Sequence, residues 1–158
     1  MREIIFRGKR LQGGNWVEGY FFKSDINKIE RESGKATLIF TPDCDTFIMV
    51  PECHNSFMVV SDTVGQYTGL ADKHGKKIFE GDILRISKIA DGLGGYYQPP
   101  LDYPVTVVVK WDLCAWMWET LCEDKRYISF PDAWCHYECE VVGNIHDNPE
   151  LLKEEAQP

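Results

Sequence analysis

The sequence has no long hydrophobic run. No stretch approaches the ~18 consecutive apolar residues that a transmembrane helix needs, and the longest, such as Val105–Val109, have the length of a β-strand. The first residues, Met1–Arg7, turn charged before an apolar segment long enough for a signal peptide can form. We therefore expect no membrane span and a cytoplasmic location.

Positive charge is also scarce. Residues 1–100 carry 13 basic and 13 acidic side chains, whereas residues 101–158 carry 4 and 12, and 4 − 12 accounts for the whole net charge of −8. Neutralisation of phosphates supplies most of the affinity of duplex DNA binders. The chain offers only a local basic patch at Arg2, Arg7, Lys9 and Arg10. We therefore expect a protein partner before a nucleic acid.

Common catalytic signatures are missing as well. Gly92-Leu93-Gly94-Gly95-Tyr96 lacks the Lys and Ser/Thr of a phosphate-binding P-loop, and neither Gly-x-Ser-x-Gly nor His-Glu-x-x-His occurs. These absences remove the motifs of several large enzyme classes. We predict that the chain is not an enzyme and uses no cofactor.

The chain has no evident disulfide or zinc framework, although it holds six cysteines. In a cytoplasmic protein the thiols stay reduced, and a free cysteine behaves as a small buried hydrophobe. Cys135 and Cys139 have a spacing that zinc sites use, but no second pair matches them. We predict buried thiols and no metal. The remaining cysteines are Cys44, Cys53, Cys114 and Cys122.

Short apolar segments separated by Gly, Asp, Asn and Pro are what the sequence does contain, and they are typical of a mainly β protein. With 44% hydrophobic residues and 20 aromatic ones, the 158-residue chain can build a core. The predicted strands are Glu3–Arg7, Trp16–Phe22, Thr37–Phe40, Thr46–Val50, Phe57–Val60, Lys76–Phe79, Ile83–Ile86, Val105–Trp111, Trp116–Cys122 and Glu140–Ile145.

The segments between these strands have their own signals. The paired glycines of Gln12–Asn15 predict a hairpin, and Asp72–Gly75 has turn chemistry. Lys23–Lys35 is charged and has no apolar face, so we expect a loop or a short exposed helix. Ala90–Pro104, rich in Gly and Pro, is expected to form a long loop. Asn148-Pro149-Glu150 predicts the start of a short C-terminal helix.

Three stretches of the sequence form a recognisable set. They are an N-terminal hairpin (Arg2–Lys9 and Trp16–Tyr20), a central segment (Val64–Leu70 through Lys77–Ile83) and a closing segment (Glu140–Leu152). Together they resemble the YopX family of phage and prophage proteins. The stretches follow the family's order and cover a little over a third of the chain. The resemblance implies a phage or prophage origin, a β-rich fold and an accessory role inside an infected host cell. It implies no reaction.

We expect strongly bent antiparallel sheets in two lobes. Residues 1–62 would form an N-terminal β lobe, residues 63–152 a C-terminal YopX-like lobe, and residues 153–158 a polar tail; one compact domain overall is the alternative. By pattern analogy, the C-terminal half is predicted to be an SH3-like barrel. Fold analogy does not establish function.

The function predicted first is a non-enzymatic protein-interaction module, which could also form a homo-oligomer. Tyr96, Tyr97 and Tyr103 lie in the Gly- and Pro-rich loop, where we expect them to be exposed. Exposed aromatic side chains are frequent anchors of protein partners. We therefore predict these three tyrosines as the partner-binding site.

Two other functions stay open. A nucleic-acid-binding module would use the basic N-terminal strand and the aromatic side chains of a barrel. An enzyme would be centred on Asp72, His74 and Asp82, because two acids and an imidazole around neighbouring turns could perform acid–base chemistry. Turn formation alone explains Asp and Gly at such positions.

Overall fold

The computed structural model describes residues 4–24, 28–32, 35–39, 45–89, 104–112, 115–120, 127–129 and 137–152. The strands, in chain order, are β1 Phe6–Lys9, β2 Trp16–Lys23, β3 Lys28–Glu32, β4 Lys35–Ile39, β5 Thr46–Val50, β6 Asn55–Met58, β7 Gly65–Ala71, β8 Lys77–Phe79, β9 Asp82–Ile89, β10 Val105–Asp112, β11 Ala115–Thr120, β12 Tyr127–Ser129 and β13 Tyr137–Asn144. Two 3₁₀ helices in these ranges are Ser61–Thr63 and Pro149–Leu152.

The prediction of a mainly β fold with antiparallel sheets is confirmed. Every assigned strand pair is antiparallel, and no α-helix occurs within the ranges that the structure describes. Within the same ranges, no helix has the length and apolar character needed to cross a membrane.

The chain groups into two compact units, which we call unit 1 (Met1–Tyr67) and unit 2 (Thr68–Pro158). Unit 1 contains strands in the order β6-β5-β2-β1, with the first residues of β7 beside β1. Unit 2 contains the end of β7 beside β8, and a five-stranded sheet in the order β12-β11-β10-β9-β13. The two lobes expected from the sequence, and the alternative of a single domain, stay a prediction.

Unit 1 begins with the hairpin of β1 and β2. Gly13 and Gly14, at its tip, adopt φ values of +86° and +67°, which only glycine reaches easily, so the predicted hairpin is confirmed. The pairing then continues from β2 to β5 and from β5 to β6.

Strand β1 is paired along both of its edges. On the edge away from β2, Arg10 forms an antiparallel bridge with Val59, and the N–H of Val60 donates to the carbonyl oxygen of Lys9 at 2.9 Å. The 3₁₀ helix Ser61–Thr63 follows and interrupts the pairing along β1, and β7 then pairs with the beginning of β1. The segment that follows β6 therefore brings the chain back to β1.

Unit 2 has its own hydrophobic core. Strand β10 is buried on both faces from Val105 to Val109, whereas Trp111, at the end of the run expected to be buried, is 49% exposed. One side of the sheet packs into a single cluster, whose buried members are Ile78, Leu84, Ile86, Val105, Val107, Val109, Trp116, Cys139 and Val141. This cluster holds the sheet together without a disulfide among the described cysteines.

The sequence-based prediction for Lys23–Lys35 is wrong. Within that segment the chain forms β3, which pairs with β4 in a hairpin running from Lys28 opposite Ile39 to Glu32 opposite Lys35. Only Ser33 and Gly34 connect the two strands, and a two-residue connection of this kind favours a tight hairpin. Backbone pairing does not need the apolar face that the sequence lacks.

The predicted C-terminal helix is also absent, because the chain forms the 3₁₀ helix Pro149–Leu152 instead. The side chain of Asn148 does not cap a following α-helix; its Oδ1 accepts the N–H of Asn144 at 3.4 Å. The N–H of Leu151 bonds the carbonyl oxygen of Asn148, three residues back, which is the 3₁₀ pattern. Strand β7 was missed by the sequence reading, which assigned no element to Gly65–Ala71.

Candidate functional site

One face of the sheet in unit 1 is rich in aromatic and methionine side chains. The strand register places Tyr20 opposite Met49, Phe22 opposite Phe47, and Phe47 in turn opposite Met58. Residues directly opposite each other point to the same face of a sheet. We call this side the outer face, and its members are Arg7, Lys9, Trp16, Glu18, Tyr20, Phe22, Phe47, Met49, Ser56 and Met58.

Two aromatic side chains of the outer face are open to solvent, and the other two, Trp16 and Phe47, are half-buried. Tyr20 is 49% exposed and Phe22 is 39% exposed. Phe22 stacks on Phe47 with ring centroids 5.4 Å apart and an interplanar angle of 14°. Contiguous exposed apolar side chains make this face a candidate interaction surface.

The opposite side of the sheet is closely packed around Ile48. Ile48 is fully buried there, and a Cβ at Gly8 would come within 2.9 Å of its Cδ1. A Cβ at Gly19 would overlap the carbonyl oxygen of Met49. Glycine at both positions lets the strands and Ile48 approach closely.

Two basic residues lie on the outer face next to the aromatics. The Arg7 guanidinium lies over the Trp16 ring, 4.7 Å from its centroid, and Lys9 is the cross-strand neighbour of Trp16. Glu18 is the cross-strand neighbour of Arg7. The basic patch predicted from the sequence is split between two faces, because side chains alternate along a strand and Arg10 points to the face opposite Arg7 and Lys9. Arg2 lies outside the described residues.

A groove runs beside the end of β6. It has a volume of about 210 Å³ and is lined by Arg10, Leu11, Gln12, Ser56, Phe57 and Met58. The Arg10 guanidinium stacks on Phe57 at 4.2 Å from the ring centroid, and Leu11 is half exposed. The groove combines an apolar wall with a cation. Met58 contributes to both the groove and the outer face.

The predicted acid–base residues serve the backbone in their turns. The carboxylate of Asp72 accepts N–H groups from His74 at 2.8 Å, Lys76 at 2.9 Å and Val141 at 3.1 Å. Burial by itself raises the pKa of Asp72, but the three N–H donors outweigh it and hold the pKa below the ordinary value. The Asp72 carboxylate stays ionised and accepts three backbone hydrogen bonds, so it stabilises the turn.

The other two members of the predicted catalytic set, His74 and Asp82, make their own contacts, and the hydrogen bond from His74 to Asp72 comes from its backbone N–H. Asp82 is completely buried, and its Oδ2 accepts the N–H of Phe79 at 2.8 Å. His74 is exposed, with its Nε2 3.9 Å from an Oε2 of Glu140, which also pairs with Lys73 at 2.8 Å. The interaction with Lys73 lowers the pKa of Glu140. The enzyme alternative receives no geometric support from these contacts.

The cysteines that the structure describes have contrasting surroundings. Cys139 is buried in the core of unit 2, where burial raises the pKa of its thiol to about 12 and keeps it protonated. Cys53 is exposed. Cys44, Cys114, Cys122 and Cys135 lie outside the described residues. Within the part of the chain that is described, no three His, Cys, Asp or Glu side chains gather as metal ligands.

The tyrosines predicted to bind a partner, Tyr96, Tyr97 and Tyr103, lie outside the described residues. In unit 2, Trp111 is 49% exposed and packs edge-on against Trp116, with ring centroids 4.8 Å apart. Sequence reasoning missed the outer face of unit 1. Its signal was present in β2, where Trp16, Tyr20 and Phe22 alternate with residues of the opposite face.

Comparison with known proteins identifies a family and no function. No curated protein sequence is significantly similar to the chain. A solved structure titled "Crystal structure of protein EF1440 from Enterococcus faecalis" is similar, with 23% sequence identity, 96% of this chain and 99% of that chain covered, and a TM-score of 0.46. The family described as YopX protein matches residues 5–153. The chain therefore belongs to the YopX family.

Proposed function

We propose that the protein is a non-enzymatic interaction module that binds another protein through the outer face of unit 1. The observation that carries the proposal is the exposure of Tyr20 and Phe22 beside Phe47 and two methionines. Large aromatic and methionine side chains supply most of the binding energy at protein interfaces. Arg7 and Lys9 border them, so the partner surface is expected to be apolar with an acidic rim.

Photo-crosslinking from two matched positions tests this proposal. A benzoylphenylalanine residue replaces Tyr20 in one variant and the exposed Trp111 of unit 2 in the other. We expect one defined protein adduct from position 20 and none from position 111. Purified partner should then bind the wild type, and Tyr20→Ser with Phe22→Ser should weaken binding at least ~10-fold, since each buried aromatic anchor contributes ~2 kcal/mol. Equal crosslinking from both positions would contradict the proposal.

The tyrosines of the 90–104 loop remain a second proposed contact with the partner. Substitution of Tyr96, Tyr97 and Tyr103 by Ala should abolish capture of the same purified partner and leave the far-UV circular dichroism unchanged. If only the outer-face variant loses binding, the loop is not the anchor.

A nucleic-acid-binding role is the second candidate function. The observation that favours it is the position of Arg7 and Lys9 beside Trp16 on an aromatic sheet face, since single strands bind to basic grooves with stacking platforms. Fluorescence anisotropy with a labelled 20-nucleotide single strand tests it. Affinity should fall steeply with salt and fall further in Arg7→Gln. No binding at low salt removes this candidate.

The proposal extends to the biological setting. From its family, the chain is proposed to be a phage- or prophage-encoded accessory protein that works in the host cytoplasm and forms a homo-oligomer. An SH3-like barrel is proposed for the C-terminal half. The strand order supports it, because β9 to β12 pair in sequence and the fifth strand, β13, pairs with the first, β9. Light scattering on the purified protein gives the native mass; a monomer would refute the homo-oligomer.

A further inference from the structure

We infer that the groove beside β6 binds an extended acidic segment of the partner as an added strand. The inference rests on the proposed protein-interaction function and names a binding mode and a peptide chemistry. Three features meet in the groove: an edge of β6 that no other described strand continues to pair, an apolar wall and the cation of Arg10. Each is set by residues of unit 1.

The edge of β6 presents backbone groups away from β5. The carbonyl oxygen of Met58 accepts the N–H of Leu11 at 3.0 Å on that side, so the backbone groups of Met58 point away from β5. Alternation along a strand places the N–H and C=O of Ser56 on the same side. Past Leu11 the chain turns into the β1–β2 hairpin, so the pairing that Leu11 begins is not continued to Ser56. An added strand can continue it.

The side chains around this edge define what the added strand carries. Leu11, Phe57 and Met58 form an apolar wall that suits one aliphatic side chain. The guanidinium carbon of Arg10 lies over the Phe57 ring, 4.2 Å from its centroid, so the cation borders the apolar wall. Among the residues that the structure describes, no carboxylate pairs with Arg10. A planar fork of donors is the geometry that binds a carboxylate in bidentate fashion.

An aliphatic residue and an acid on the same side of the added strand meet these requirements together. Residues of one strand that share a face are two positions apart. The segment bound best therefore has an aliphatic residue and an Asp or Glu at i and i+2. Basic segments are disfavoured, because a second cation would lie against Arg10.

Selection from a random dodecapeptide library displayed on yeast tests the inference with the full-length protein. We expect enriched peptides to share the aliphatic–x–acid pattern. Arg10→Gln should weaken their binding by about tenfold or more, whereas Lys76→Gln, an equal change of charge at an exposed position of unit 2, should not. Enrichment of peptides without acids, or equal effects of the two variants, would overturn the inference.

Proline at position 56 tests the strand addition separately. Proline is tolerated on an edge strand where its N–H faces away from the sheet, so Ser56→Pro should keep the near-UV circular dichroism of the wild type and lose peptide binding. Unchanged binding would exclude strand addition. If binding of the enriched peptides requires Tyr20 and Phe22 but not Arg10, the groove inference is wrong while the proposed function stands. An absence of enriched peptides overturns it too, and the crosslinking from position 20 then decides the proposed function independently.

Discussion

Asp72 is buried in the turn between β7 and β8, where its two carboxylate oxygens accept three backbone N–H groups. Two of the donors, His74 and Lys76, belong to the turn itself, and the third, Val141, belongs to β13. One side chain therefore shapes a local turn and also ties it to a strand 69 residues away in sequence. Hydrogen bonds to an ionised group are stronger than neutral ones, because the full charge attracts each donor.

The pH dependence of stability should report on Asp72. Its folded pKa is lower than the ordinary value of 3.8, so the carboxylate stabilises the fold above that value, and the contribution is lost as pH falls through the folded pKa. We expect the free energy of unfolding of the wild type, measured with urea, to fall below about pH 4. In Asp72→Asn the fall should be smaller. An identical pH profile would assign the acid sensitivity to other groups.

Gly19 is required by close approach and not by an unusual φ. Because any Cβ there would overlap the carbonyl oxygen of Met49, a backbone atom that cannot rotate away, Gly19→Ala should separate β2 from β5. We expect a loss of at least ~2 kcal/mol in the free energy of unfolding of unit 1. Gly13→Ala is a useful comparison, because nothing lies within 4 Å of its Cβ and only its φ of +86° opposes the change. It should cost ~1 kcal/mol.

At the scale of elements, the end of β13 is shaped by one asparagine. The Oδ1 of Asn144 accepts the N–H groups of His146 at 2.9 Å and Asp147 at 3.0 Å, while its Nδ2 donates to Asp147 at 3.0 Å. These contacts turn the chain immediately after the strand and lead it into the 3₁₀ helix Pro149–Leu152. The turn thus depends on side-chain acceptors more than on regular backbone pairing.

Removal of those acceptors should loosen the turn selectively. In Asn144→Ala we expect faster amide hydrogen exchange at His146 and Asp147, because their N–H groups lose their acceptor. The exchange of Val107 and Val109, in the buried strand β10, should change little. Mass spectrometry with electron-transfer fragmentation resolves the two regions. A uniform increase over unit 2 would show that the turn supports the whole unit.

Strand β2 carries aromatic side chains on both of its faces. Trp16, Tyr20 and Phe22 share the outer face, while Gly19 and Phe21 face the interior, where Phe21 contacts Phe6 with ring centroids 5.2 Å apart. From the sequence, each set of aromatics is equally suited to a core. Only the pairing with β5, which places the fully buried Ile48 beside Phe21, decides which set is covered.

At the scale of the whole molecule, the two units repeat one strand order. We number the strands of each sheet by their order in the chain and leave out the β3–β4 hairpin. Across the sheet of unit 1 the strands then lie in the order fourth, third, second, first, fifth, and the five-stranded sheet of unit 2 has the same order. Each unit also has its own buried aliphatic residues, such as Ile48 in unit 1 and Leu84 in unit 2. The repeat lies in topology, because the sequence shows no internal repeat.

Separate cores predict separate responses to core mutations. Ile48→Ala should destabilise unit 1 and Leu84→Ala unit 2, each by about 3 kcal/mol, since both side chains are fully buried. Hydrogen exchange should accelerate mainly in the unit that carries the substitution. Acceleration of both units by either substitution would show that they unfold as one domain, the alternative to the predicted lobes.

Local signals explain the parts of the fold that the sequence predicted well. The strands β5 and β10 follow from short apolar, β-branched runs, and the turns at Gly13-Gly14 and Gly75 follow from the left-handed conformations that glycine permits. Such features depend on neighbouring residues only. Strand β4 overlaps the predicted strand Thr37–Phe40, whereas β3 was missed because its charged sequence has no pattern of burial.

The sequence by itself determined the β class, the positions of most strands and the family, because hydrophobic alternation and turn residues act over a few positions. Tertiary structure alone decided the candidate site. Arg10 meets Phe57, and Tyr20 and Phe22 stay exposed, through pairings between residues some 25 to 47 positions apart. It also decided that Asp72 and Asp82 hold turns, since a carboxylate is a catalyst or a backbone acceptor according to the donors that fold around it.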